Sequence, residues 1–514
     1  MKQAVYGTST NHSGIANSYN NIGLVYSELD EYEKSLEYHT KSLAMKQAVY
    51  GKNTNHSGIA NSYNNIGLVY NDSGEYEKSL EYHTKSLSMQ QAIYGTDANH
   101  SSIASSYNNI GLVYNRLGEY ETSLEYHTKS LAMQQAIYGA SAKHSGIASS
   151  YNNIGSVYNR LGEYETSLDY HTKSLAMNQA IYGTDANHSS IASSYNNIGS
   201  VYSDLGEYEK SLEYHTKSLA MQQAMYGASA NHSGIASSYN NIGSVYNRLG
   251  EYETSLEYHT KSLAMNQAIY GTDANHSSIA SSYNKIGSVY SDSGEYEKSL
   301  EFHTKSLTMQ QAIYGANANH SSIAISYGNI GWVFSESGEY EKSLEYHEKA
   351  FIMYQAVYGT DAGHANIAVN YHGYAEAYVG IGEYSKALDY CSKALAMCQQ
   401  VLGAGTNHRD IAECLSTFGE VCSKVGEYEK ALQHHTMSLA MYQAVYGLDA
   451  SNVRIAACYK RFGDVYKRLS EYSKALDYFK KSQTMYKVTF GVDTTHPKVL
   501  NLNAAIANVE VTQE

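Results

Sequence analysis

The chain has 514 residues, with 36 Lys and Arg against 50 Asp and Glu and a formal net charge of −14. That balance speaks against a nucleic-acid partner, which needs a basic stripe to displace counterions. No apolar run approaches the roughly 20 residues that cross a bilayer and no export signal precedes the first repeat, so we expect no membrane insertion and a cytoplasmic location.

From the start, Met1-Lys2-Gln3-Ala4-Val5-Tyr6-Gly7 matches Met45 to Gly51, so residues 1–11 read as the end of a second helix in a truncated repeat; either the array lacks an N-terminal cap or, the reading we favour, the chain is a piece of a longer protein. From there His12, His56, His100, His144, His188, His232, His276, His320, His364 and His408 lie 44 residues apart, Asn452 stands in once, and His496 rejoins the series. A period of this length marks a solenoid, in which each copy buries its apolar face against its neighbours.

The copy from His56 to Asn99 shows how the unit is built. Ile59, Tyr63, Ile66 and Tyr70 recur at i, i+4, i+7 and i+11, one face of a helix, and Ser57 or its neighbour can cap its start. Asp72-Ser73-Gly74-Glu75 breaks the rhythm. A second stripe then runs through Tyr76, Leu80, His83, Leu87 and Tyr94, and Gly95 ends it in the left-handed conformation that glycine allows. Each unit is therefore a helical hairpin. About eleven of them, covering near-identical repeats over 12–363 and diverged ones over 364–495, predict an all-α right-handed solenoid closed by a capping helix and tail over 496–514.

Tyr63-x2-Ile66-Gly67-x2-Tyr70, followed by Gly74, Tyr76, Ser79 and His83, resembles the tetratricopeptide pattern. The repeat is longer than the usual length of roughly 34 residues. In its Asn-Asn-Ile-Gly-x-Val-Tyr core it is similar to kinesin light chain and nephrocystin-type arrays. Two departures stand out: the linker reads His-Ser-Gly or His-Ser-Ser where that family has His-Pro-Asp, and no heptad repeats accompany the hairpins.

Residues 148–235 and 236–323 are nearly the same two-hairpin block, so identity there reflects recent copying. The drifted repeats are more informative. They keep apolar or small residues at the packing positions but replace the Asn64-Asn65 type of doublet with His372-Gly373, Ser416-Thr417 and Lys460-Arg461, so the hairpin does not require it. Asparagine within a helix is unfavourable by several tenths of a kcal/mol, which invites a role for the ladder.

The resemblance implies that the first helix lines a concave groove where an asparagine of the doublet bonds the backbone of an extended peptide. Carried over, the contacts are Asn20, Asn64, Asn108, Asn152, Asn196, Asn240 and Asn284. A carboxamide offers both donor and acceptor, which suits a peptide of any sequence. The alternative is that the doublet bridges adjacent hairpins through hydrogen bonds. Four residues further on stand Leu24, Leu68 and Leu112, then serines, Trp332, and finally Glu376, Glu420 and Asp464. A linear ligand would place an apolar stretch over the first group and basic residues over the last, although Lys460, Arg461, Lys467 and Arg468 could instead welcome an acidic tail.

Other chemistry is weaker. His39, His83, His127 and their equivalents form a column in the second helix, but copies spaced by helices roughly 8 to 10 Å apart cannot share a metal, and a half-buried core ring is the simpler role. The cysteines, Cys391, Cys398, Cys414, Cys422 and Cys458, are odd in number and read as reduced, buried thiols. No phosphate loop or nucleophile elbow occurs, and an active site is a unique constellation that equal copies do not supply. We therefore expect no catalysis, cofactor or metal. The expected function is a scaffold or adaptor that binds a protein or peptide partner in its groove; the alternative is a sensor or spacer array within a larger regulatory protein.

Overall fold

His56 begins the unit. Its Nδ1 accepts a hydrogen bond from the backbone N–H of Gly58 at 3.0 Å, and its ring stacks on Tyr50 with centroids 3.5 Å apart. A ring nitrogen thus does the capping expected of a hydroxyl, and Ser57 is already helical. The same cap recurs along the array, and Asn452 supplies it with Oδ1 to the N–H of Arg454 at 2.8 Å.

The computed structural model describes residues 12–513 except 361, 449 and 492–495, so the truncated-repeat reading of 1–11 lies outside the described residues. Within them lie 23 helices and no strand. They form eleven hairpins, from Ser13–Glu28 with Tyr32–Tyr50 to Val453–Arg468 with Tyr472–Phe490, followed by a last helix at Pro497–Gln513.

Second helices stop at Gly95 and its equivalents, but not in the left-handed region expected. Gly95 has φ 100° and ψ 143°, a positive-φ extended conformation that a side chain would strain. The left-handed residue sits instead at the hairpin tip, where Gly118 has φ 79° and ψ 7°. Asp30 and Ser470 take that tip position at φ 58° and 60°.

The first helix contributes the apolar core, with Ile59, Ala60, Ile66 and Val69 buried. The second helix buries a different face from the one its leucines suggest: Ser79, His83, Ser86, Leu87 and Gln90 are inside, while Leu80 is half-buried. Small polar residues fit at the crossing because the serine there finds a partner. Ser79 Oγ donates to the carbonyl of Gly67 at 2.7 Å where the two helices cross, and a Cβ on Gly67 would meet the His83 ring at 2.9 Å. Glycine in mid-helix is therefore required for close approach, despite its cost of about 1 kcal/mol. The last helix covers the end of the array with Val499, Leu502, Ile506 and Val509 against Ala456, Ala475, Phe479 and Tyr486. All five cysteines are free and buried.

Candidate functional site

First helices of successive hairpins approach one another more closely than second helices do, so the first helices line the inner side of the curve. The asparagine doublets lie on that wall. The first asparagine of each doublet uses its oxygen twice. Asn64 Oδ1 accepts from Nδ2 of Asn109 in the next hairpin at 2.8 Å and from the His83 ring nitrogen Nδ1 at 3.0 Å. The same pair of bonds joins Asn20 to Asn65 and His39, Asn108 to Asn153 and His127, and Asn152 to Asn197 and His171. Asn196, Asn240 and Asn284 keep the bond to His215, His259 and His303.

Because the oxygen can only accept, the histidine carries a proton on Nδ1. Burial keeps the ring neutral, pushing the helix histidines down to about 4 at His83, His127, His171 and His215. Where Gly328 replaces the first asparagine, His347 turns to Asn370 Oδ1 at 3.0 Å instead. The bridging oxygen is thus structural. What remains for a ligand is the carboxamide NH2 of Asn20, Asn64, Asn108, Asn152, Asn196 and Asn240, which donates to nothing among the described residues, whereas that of Asn284 reaches Ser326 Oγ at 3.4 Å. Asn240 and Asn284 line a cavity of about 650 Å³ with Lys285, and Arg116 enters it from much earlier in the chain.

The neighbouring positions are mixed. Leu24 is 42% exposed, and Leu68 and Leu112 are half-buried. Ser156, Ser200 and Ser288 turn their hydroxyls back to the carbonyls of Asn152, Asn196 and Asn284, each at 3.0 Å. At the far end the carboxylates are already paired. Glu376 meets His372 at 3.4 Å, Glu420 meets Arg461 at 3.5 Å, and Asp464 meets Lys460 at 2.7 Å. This pairing leaves less free negative charge for the basic ligand segment expected there.

One feature went unseen in the sequence. The array winds until successive turns touch along a seam. His276 Nε2 donates to the carbonyl of Glu28, His364 to Arg116 and His408 to Arg160, at 3.1 to 3.2 Å, all 248 residues apart. Asn452 does the same to Leu205 at 3.0 Å. Asp30 Oδ2 accepts from the N–H of Ser277 at 2.6 Å, and Asp204 bridges to Arg409 at 2.9 Å. Tyr32 stacks on Tyr314, Tyr76 on Tyr358 and Tyr164 on Tyr446. His276, His364 and His408 therefore have two tasks: Nδ1 caps the helix and Nε2–H holds the preceding turn. Asp204 and Arg248 belong to this seam and its neighbours. With 248 residues between partners and a 44-residue unit, about 5.6 hairpins separate them; no local pattern reports so distant a neighbour.

Among the described residues no group of His, Cys, Asp and Glu is arranged to hold a metal, and no helix is long and apolar enough to cross a membrane. The tetratricopeptide-repeat model matches residues 14–92, 58–136, 146–224, 234–311, 278–356 and 366–444. The chain belongs to the tetratricopeptide-repeat family. No curated protein matches it in sequence. Among solved structures it is similar to a Rap protein complexed with Competence and Sporulation Factor, with 12% identity and a TM-score of 0.50 over 75% of this chain and 98% of that one. It is also similar to a putative kinesin light chain from Podosopora anserina with nearly identical repeats, with 17% identity and a TM-score of 0.34 over 41% of this chain and 97% of that one. A third is BtubC from P. vanneervenii, with 16% identity and a TM-score of 0.35 over 48% of this chain and 91% of that one. At these identities the likeness concerns the fold.

Proposed function

We propose that the chain is a non-catalytic protein–protein interaction scaffold that holds an extended segment of a partner along the wall of first helices. The observation that carries this reading is the row of carboxamide NH2 groups, one per hairpin from Asn20 to Asn240, presented on the inner side with no acceptor of their own. A donor repeated at the spacing of the hairpins suits main-chain carbonyls, which every peptide supplies regardless of sequence. The leucines at Leu24, Leu68 and Leu112 add apolar contact at one end, while Glu376, Glu420 and Asp464 orient the cations beside them. The similarity to a Rap protein solved with a bound factor fits this use of the fold.

Because the turns touch, a partner segment reaches the wall along the axis or when the seam opens. The test is hydrogen exchange with a peptide selected from an unbiased displayed library. Protection confined to the first helices between Ser13 and Leu249 supports the reading. Protection of the second helices or of the outer face, with the first helices unchanged, contradicts it.

A further inference from the structure

The inner wall ends in a cavity of about 760 Å³ whose lining includes Lys424, Lys460, Arg461, Lys467, Arg468 and Lys498. Two carboxylates, Glu420 and Asp464, line it as well, so six cations against two anions leave a local charge of +4 in a chain whose net charge is −14. Charge of that sign, gathered in one hollow against the trend of the molecule, focuses the field there.

The ion pairs account for only some of these cations. Arg461 lies 3.5 Å from Glu420 and 3.8 Å from Glu413, and Lys460 reaches Asp464 at 2.7 Å. Asp292, from much earlier in the chain, and Glu413 are the carboxylates that act on Lys498. Lys424, Lys467 and Arg468 form no ion pair among the described residues. All three sit in the last turn of a first helix, where the helix dipole favours a cation, but that weak effect asks for one charge rather than a group facing one hollow. A second observation is independent of charge. His435, 1% exposed, lines the same cavity, and its Nδ1 is buried without a hydrogen-bond partner. In earlier hairpins the equivalent ring nitrogen is held by an asparagine, which Ser416 replaces here.

We infer that this cavity receives a carboxylate-rich stretch of the partner polypeptide, so that an acidic run of Asp and Glu docks at the C-terminal end of the wall. This rests on the scaffold reading and gives that ligand its sign and direction. A peptide is favoured over nucleic acid because the cavity is the size of a few residues, it lies on the same wall of first helices, and the rest of the chain repels a long polyanion.

The probe is an end-blocked fluorescent hexaglutamate, measured by anisotropy against the full chain and against the triple variant Lys424→Gln, Lys467→Gln, Arg468→Gln, whose exposed or half-buried side chains can change without loss of the fold. Lys85→Gln with Lys129→Gln, on outward lysines paired with Glu81 and Glu125, is the control. Saturable binding that weakens at least tenfold in the triple variant, falls with added salt and is unaffected in the control supports the inference. Absence of binding, or binding equal in the triple variant, overturns it. Inorganic polyphosphate or polyuridylate competing more tightly than hexaglutamate at this site also overturns it, in favour of a general polyanion site. Because hexaglutamate is tested without the selected peptide, failure here leaves the carboxamide wall standing, whereas failure of the exchange experiment leaves this cavity to be judged alone.

Discussion

Each asparagine of the ladder divides its work between two atoms, so its substitutions should separate stability from binding. Asn152→Ala removes the acceptor for His171 Nδ1 and Asn197 Nδ2, which lie 3.0 and 2.6 Å away, so the gain in helix propensity expected from alanine is outweighed by two unpaired donors. We expect a loss of about 1 kcal/mol. Gly155→Val should cost more, because even a Cβ there meets the His171 ring at 3.0 Å, and overpacking typically costs about 1–3 kcal/mol. Hydrogen exchange within 145–182 ranks the two; an alanine variant less protected than the valine variant contradicts the packing account.

Histidine also sets a dependence on pH. In the folded chain the helix rings of His39, His83 and His303 and the linker rings of His320 and His364 are pushed to about 4, chiefly by burial. Unfolded, each titrates near 6.5. Between these values the unfolded chain binds more protons, so stability is fully present above about pH 6.5 and declines as pH falls toward 4, at up to about 1.4 kcal/mol per unit for each ring. Melting temperatures measured from pH 7.5 to 4.5 should fall steeply below 6.5; a flat profile would mean that the rings are not neutral and enclosed.

At the scale of elements, the last helix shields Phe479 and Tyr486, both nearly fully buried. Truncation after Gly491 should expose that face and lower exchange protection in Val453–Phe490, with the hairpins before residue 240 little changed, since repeats contact chiefly their neighbours. Loss of protection throughout the chain would show the cap to be needed by the whole array. The helices themselves were legible, because Ile59, Ile66 and their copies keep the helical rhythm and Gly74 and Gly95 punctuate it. The buried face of the second helix was not, because serine, histidine and glutamine carry no apolar signal; only the crossing at Gly67 explains why small polar residues belong there. The asparagine ladder could be picked out by its recurrence in the sequence, but the division between its oxygen and its NH2 depends on distances to the next hairpin. The pairing of Glu420 and Asp464 was likewise hidden, although Lys460 and Arg461 in the same stretch hinted at it.

The whole molecule is governed by its seam. Asn452 shows that an asparagine can both cap and hold the preceding turn, bonding Arg454 N–H and the Leu205 carbonyl. Changing His276, His364 and His408 together to asparagine should therefore leave the radius of gyration in X-ray scattering unchanged. Changing them to aspartate keeps an acceptor for the cap but removes the donor to Glu28, Arg116 and Arg160, and should lengthen the particle. Equal compactness of both variants would show that these bonds do not hold the turns.

The inner wall is where fold and function meet, and the decisive measurement isolates the NH2 groups on it. Asn108→Asp, Asn152→Asp and Asn196→Asp retain the bridging oxygen and remove the free donor, whereas Asn99→Asp, Asn187→Asp and Asn231→Asp place the same charge on exposed linkers. Isothermal titration of a library-selected peptide should show at least a tenfold loss of affinity in the first triple variant and near-native affinity in the second. Native affinity in the first variant, or equal losses in both, would contradict a carboxamide wall that binds the partner's backbone.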